Sequence, residues 1–208
     1  MTRSTRCAVA VAFLALVGFT LAMVGDGGGG DGGPSTAAEL EARLARVAEL
    51  RAARELGREL EELYAAVEPF HDVGVAVESG YAPSSPCMAS ALGAQGVHYG
   101  KDALFVPEVV AQTPQLLMYE PRSDGTLRFI GVEYLVFQEA WHAAGFEQRP
   151  QLFGQEFGLN ETLLDEPFYL LHVWIGQFNP VGVFADWNPL VGCAFDEATR
   201  EGVGHARH

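Results

Sequence analysis

The spacing of apolar residues changes once along the chain, near Pro83, and that change constrains the fold more than any other feature. Before it, residues 37–67 are rich in Ala, Leu, Glu and Arg. Leu40, Leu44 and Val47, then Leu56, Leu60, Leu63 and Val67, recur at spacings of three and four, the period of a helix with one apolar stripe. Ser35 or Thr36 stands where an N-cap is needed. Glu39 with Arg43, Arg51 with Glu55 and Arg58 with Glu62 are spaced to pair across one turn of the polar face. The stripe keeps no strict heptad, so the domain's own sheet is the favoured partner, with a coiled coil or partner helix as the alternative. Residues 70–81 continue as a second helical piece that Gly80 ends.

Pro83 and Pro86 break that pattern. Beyond them, short apolar and aromatic runs are separated by Pro, Gly and Asn, the punctuation of strands. The clearest hairpin joins residues 115–120 to residues 127–136 through Arg122-Ser-Asp-Gly125, where Asp-Gly supplies the left-handed turn positions. A short helix is expected over 137–144, a long strand over 168–177, and a final loop around Phe184-Ala-Asp-Trp-Asn188. Helices first and strands afterwards predict an α+β fold with an antiparallel sheet. The specific expectation is a long N-terminal amphipathic helix packed on a partly closed, barrel-like sheet.

The N-terminus predicts export. Residues 7–24 are apolar and uncharged and follow Arg3 and Arg6, the layout of a secretory signal. Residues 1–24 are therefore a signal peptide, or an N-terminal membrane anchor if they are retained. Gly and Asp dominate residues 25–36, a flexible linker. Residues 37–82 form the helical segment, 83–196 the β-rich body and 197–208 a disordered tail. The expected location is extracytoplasmic, secreted or held at the membrane. Cys87 and Cys193, the only cysteines beyond the apolar run, then form a disulfide. Asn160-Glu-Thr162 is an N-glycosylation sequon, with meaning only outside the cytoplasm.

The chain carries 27 acidic and 13 basic residues, with a net charge of −14, and Lys101 is its sole lysine. Such a surface excludes nucleic acid as a partner. The composition fits adaptation to concentrated salt, and no feature specifies a protein partner. Signatures of nucleophilic hydrolases, zinc proteases, phosphate-binding loops and dinucleotide-binding folds are absent.

Three strand-like runs each place one metal-capable side chain among apolar neighbours: His98 in Gly96-Val-His-Tyr99, Glu133 in Gly131-Val-Glu-Tyr134 and His172 in Leu171-His-Val-Trp174. Strand alternation puts Phe129, Gly131, Glu133 and Leu135 on one face, and Phe168, Leu170, His172 and Trp174 on one face of the last strand. A buried carboxylate needs a positive partner. The candidates are Arg128, Lys101, a protonated histidine or a metal. A divalent transition metal, Zn, Cu, Fe or Mn, would satisfy all three residues, because two His and one carboxylate form a facial site with open positions. The alternatives are a structural trio, as a histidine–glutamate pair or as side chains lying apart or hydrogen-bonded to backbone, and acid–base catalysis without metal. Glu120, Tyr99, Tyr134, Trp174, Asp186 and Trp187 are candidates to complete a pocket for a small-molecule ligand. An enzyme of metal-dependent oxidoreductase type and a non-catalytic envelope domain without metal remain alternatives.

These segments together, from Phe70-His-Asp-Val-Gly-Val-Ala-Val-Glu-Ser-Gly-Tyr81 through Cys87, the GVHY, GVEY and LHVW runs and Asp186-Trp-Asn-Pro189, resemble a family of exported bacterial and haloarchaeal proteins. The resemblance spans roughly residues 60–193 and implies a common extracytoplasmic domain. It implies no activity. Gly100 stands where that resemblance leads one to expect asparagine.

Overall fold

The computed structural model describes residues 36–196, and the expectations for the signal or anchor, the linker up to residue 35 and the tail lie outside the described residues. The chain divides into two units, residues 1–43 and 44–208. In the first, the described part is the start of helix α1, Ala37–Val67. Thr36 caps it reciprocally with Glu39: the Glu39 N–H donates to Thr36 Oγ1 at 3.3 Å, and the Thr36 N–H to Glu39 Oε2 at 2.8 Å.

In the second unit, α1 runs on to Val67 and a 3-10 turn covers Glu68–His71. Asp72 caps α2, Val73–Glu78, by accepting from the Gly74 N–H at 2.8 Å. Gly80, at φ +94°, then turns the chain out of the helix, as expected of the residue past a C-cap. The strands are β1 Ala82–Ser90, β2 Gly93–Gly100, β3 Leu116–Pro121 and β4 Leu127–Phe137. Helix α3, Gln138–Ala143, precedes β5 Gln151–Leu152, β6 Gln155–Glu156, β7 Gly158–Asn160 and β8 Phe168–Val173. Six strands make one curled antiparallel sheet in the order β1-β2-β3-β4-β8-β7, while β5 and β6 pair separately. This is the expected α+β half-barrel. Among the described residues no helix is long and apolar enough to cross a membrane.

Two sequence expectations need correction. The apolar stripe of α1 is not continuous on one face. Leu63 and Val67 are fully buried, and Leu56 and Leu60 pack beside them, whereas Leu44, Val47 and Leu50 are 60%, 43% and 62% exposed. The sixteen residues from Leu44 to Leu60 rotate the helix by about 160° beyond whole turns, so the two leucine sets point to opposite sides. The change from helix to strand falls where Pro83 and Pro86 mark it, and both sit inside β1, whose position at the sheet edge and shifted register tolerate missing N–H donors. Finally, strict alternation fails in β4. Met118 pairs with Gly131 but Tyr119 with Phe129, leaving Ile130 as a bulge. Phe129 therefore joins Val132, Tyr134 and Val136 on the face opposite Glu133.

That opposite face holds the main core. Leu63 and Val67 of α1 pack with Leu117, Tyr119, Val132, Tyr134, Leu171 and Val173. Its tyrosines hand their hydroxyls to backbone: Tyr81 donates to Pro114 O at 2.8 Å and Tyr119 to Phe70 O at 2.7 Å. His71, beside this core, is half-buried and stacks on Phe129 at 4.6 Å between centroids. The sheet's other face carries His98, Leu116, Glu133, Leu135, Phe168, Leu170 and His172.

The 168–177 strand stops at Val173 because the following N–H groups go elsewhere. Trp174 N–H donates to Val183 O at 2.9 Å, and those of Gly176 and Gln177 donate to the bulged Ile130 O at 3.1 and 3.0 Å. The chain beyond is bound back to the sheet. Ala94 and Asn188 exchange backbone hydrogen bonds, Gly192 N–H donates to Glu120 Oε1 at 3.1 Å, and a Cys87–Cys193 disulfide closes the segment across 106 positions.

Candidate metal centre

Register brings the three donors together. Glu133 lies directly opposite His172 on β8 and opposite Leu116 on β3, while His98 on β2 lies opposite Met118, two residues along from Leu116. All three therefore project from one face, and the curl of the sheet closes the gap across β3. Two glycines permit this approach. A Cβ at Gly96, already at φ +78°, would lie 2.2 Å from Tyr119 O, and one at Gly131 would lie 2.5 Å from Val173 O. Each glycine precedes a donor by two residues, which gives the GVHY and GVEY runs a physical meaning.

The donor atoms lie within 4.8 Å of one another and all three residues are buried. His98 Nε2 stands 3.1 Å from Glu133 Oε2, and His172 Nε2 stands 3.7 Å from the same oxygen. Ligands held at about 2.0–2.2 Å from one ion and roughly 90–110° apart sit about 3.0–3.5 Å from each other. The His98 separation falls within that spacing and the His172 separation of 3.7 Å lies slightly above it. Neither Nε2 completes a hydrogen bond, so two buried ring nitrogens converge on a buried carboxylate with nothing closing the contact.

Of the two outer nitrogens, that of His98 has a hydrogen-bond partner and that of His172 has none. Ser85 Oγ lies 2.8 Å from His98 Nδ1, accepts the His98 backbone N–H at 3.3 Å and donates to Pro86 O at 2.9 Å. With its own proton on Pro86, the hydroxyl can only accept from Nδ1–H, which directs the Nε2 lone pair at Glu133. Across the site, His172 Nδ1 faces Asp186 Oδ1 at 3.6 Å. Contact with His172 holds the Asp186 carboxyl below its ordinary pKa. Burial alone would raise the pKa of Glu133, but the His172 and His98 rings outweigh it and the net shift is downward.

Two of the four possible partners of Glu133 are engaged elsewhere. Arg128 pairs with Glu120 at 2.6 Å, and Lys101 lies over the Tyr81 ring, 5.6 Å from its centroid. A histidine cation or a metal is left. Bringing the three side chains together runs against the reading in which they lie apart, while the 3.1 Å contact of His98 with Glu133 is also that of a histidine–glutamate pair.

A cavity of about 750 Å³ opens over the donors. Its floor includes His98, Glu133, His172 and Gln95, and its walls are formed mainly by Leu116, Leu135, Phe137, Phe168 and Leu170. Of the residues expected to complete a pocket, Trp187 lines this cavity and Asp186 adjoins it through His172. The other four do not line it. Tyr134 buries its ring in the opposite core and donates to Ala111 O, while Tyr99 packs against Tyr119, because each directly follows a donor along its strand and so faces the other way. Trp174 packs with Met118 and Ile130 and donates to Ala185 O at 2.6 Å. Glu120 is occupied by Arg128 and the Gly192 N–H. Asn160 lines the cavity and accepts from the Thr162 and Leu163 N–H groups at 3.0 and 2.9 Å.

Sequence reasoning missed Ser85 and Gln95. Ser85 follows Ser84 between two prolines and carries no motif, and only the pairing Ser85–His98 on the edge strand reveals it. Gln95, whose Nε2 donates to Asp186 O at 2.9 Å, ties the final loop to the site. No family model, curated protein or solved structure matches the chain.

Proposed function

We propose that the protein is an exported domain, free or held at the membrane by its N-terminal segment, that binds one divalent transition metal ion through His98, Glu133 and His172. One observation carries the metal reading: two buried imidazole Nε2 atoms without hydrogen-bond partners converge on a buried carboxylate. A metal ion joins all three, and two nitrogens with one oxygen suit Zn, Cu, Fe or Mn. Export is supported by the apolar run at residues 7–24 and is compatible with the disulfide.

Metal analysis of the full chain, purified without an affinity tag, tests the reading. We expect about one ion per chain, lost in His98→Ala and in His172→Ala. Equal metal content in wild type and both variants would sink the site.

The cavity over the donors favours a second reading, in which the ion keeps exchangeable positions and serves a metal-dependent enzyme of oxidoreductase type. Cobalt-loaded protein should change its visible spectrum when azide is added. An unchanged spectrum would mark a closed coordination shell and exclude catalysis at the ion.

A further inference from the structure

The cavity has a composition that selects among ligands. Leu135, Phe137, Phe168, Leu170, Leu163 and Leu164 supply much of its wall, and the last two remain 55% and 47% exposed at the mouth, beside the Asn160 turn. Apolar side chains left in water at a cavity entrance are covered when an apolar ligand enters. The volume of about 750 Å³ is that of a site for a drug-sized molecule.

The charges are equally selective. Among the described residues lining the cavity there is no lysine or arginine, and Asp102 stands in the lining. An anionic head group can find compensation only at the floor. Counted over its three ligands alone, a divalent ion held by one carboxylate and two neutral imidazoles keeps a single net positive charge; with the exposed Asp102 and Asp186 nearby, it is the one cationic centre a monoanionic oxygen group can meet. A dianion would leave an uncompensated buried charge, and a cation would meet a positive centre.

We infer that the cavity binds a hydrophobic monocarboxylic acid, its carboxylate on the metal held by His98, Glu133 and His172 and its apolar body between the Phe137–Phe168 wall and the Leu163–Leu164 mouth. The inference rests on the metal reading above. Gln95 and Trp187, which also line the cavity, belong to the loop attachment that shapes its floor.

Titration calorimetry on zinc-loaded full-length protein tests it, with decanoate, acetate and decylammonium as probes. Decanoate should bind at least tenfold more tightly than acetate, which shares its head group, and than decylammonium, which shares its tail. Leu163→Asp/Leu164→Asp should keep its zinc and lose at least tenfold in decanoate affinity, whereas His172→Ala should lose zinc and decanoate together. If zinc is retained but decanoate binds no better than acetate or decylammonium, the ligand assignment is overturned while the metal site stands. Failure of the wild-type protein to hold zinc, copper, iron or manganese overturns the metal reading and the carboxylate assignment with it.

Discussion

At the scale of single residues, the site depends on groups that do not touch the proposed ion. Ser85 fixes the His98 tautomer by accepting from Nδ1 while its own proton goes to Pro86 O. Ser85→Ala should leave the fold intact and weaken metal binding by about 10- to 100-fold, the usual cost of removing such an orienting partner. Competition with a chromophoric chelator measures it, and unchanged affinity would show that Ser85 does not orient the ring. A second prediction concerns the tyrosines of the opposite face. Burial pushes Tyr81 up to about 12, and burial also raises Tyr119 and Tyr134. Their folded values lie above the unfolded one, so their contribution is fully present below about pH 10 and is lost as pH rises through the folded values. Urea midpoints should therefore fall from about pH 10 upward, and the part of the phenolate absorbance that belongs to these three tyrosines should appear with unfolding. Full tyrosine ionisation at pH 10.5 without loss of structure would contradict the burial.

At the scale of elements, periodicity exposed α1, α3, the β3–β4 hairpin and the run that becomes β8, because each is a local pattern. It also placed His98, Glu133 and His172 within strands. What it could not reach is set by partners distant in sequence. The Ile130 bulge arises from pairing with β3 and from the Gly176 and Gln177 N–H groups, and it reversed the side of Phe129. The edge position that tolerates Pro83 and Pro86 exists only in the assembled sheet. Tyr99 and Tyr134 were drawn to the site by adjacency, although adjacent strand residues face opposite ways. Glycine substitutions distinguish these levels with opposite signs. Gly57 lies in α1, exposed, with nothing within 4 Å of an added Cβ. Gly57→Ala should stabilise by about 0.5–1 kcal/mol through helix propensity. Gly131→Ala forces a methyl within 2.5 Å of Val173 O, should cost about 1–3 kcal/mol, and should weaken metal binding by separating Glu133 from His172. Urea denaturation reports both, and a neutral Gly131→Ala would mean that β4 and β8 are not this closely apposed.

For the whole molecule, the site is assembled from both ends of the β-rich body. His98 and Ser85 come from its first two strands, Glu133 from the centre, and His172 with the Asp186 loop from the end. The Cys87–Cys193 disulfide joins those ends across 106 positions. In the chain-entropy model a closed loop of that length stabilises by about 4–5 kcal/mol, less any strain. Other contacts hold the same region: the Ala94–Asn188 bridge, Gln95 on Asp186 O, and Gly192 on Glu120. They favour retention of the folded site after the covalent bond is cut, but without its limit on the unfolded chain. Cys87→Ser/Cys193→Ser should accordingly remain folded at low temperature, unfold at a lower urea concentration by an amount equivalent to several kcal/mol, and still bind metal. Adding metal at about 100 times Kd should return about 2.7 kcal/mol to either protein, since the ion binds only the folded site. If the variant keeps its fold but loses the metal-dependent increment, the disulfide positions the donors directly. If it retains both the increment and full stability, the 106-position closure contributes nothing and the remaining loop contacts carry the end of the chain.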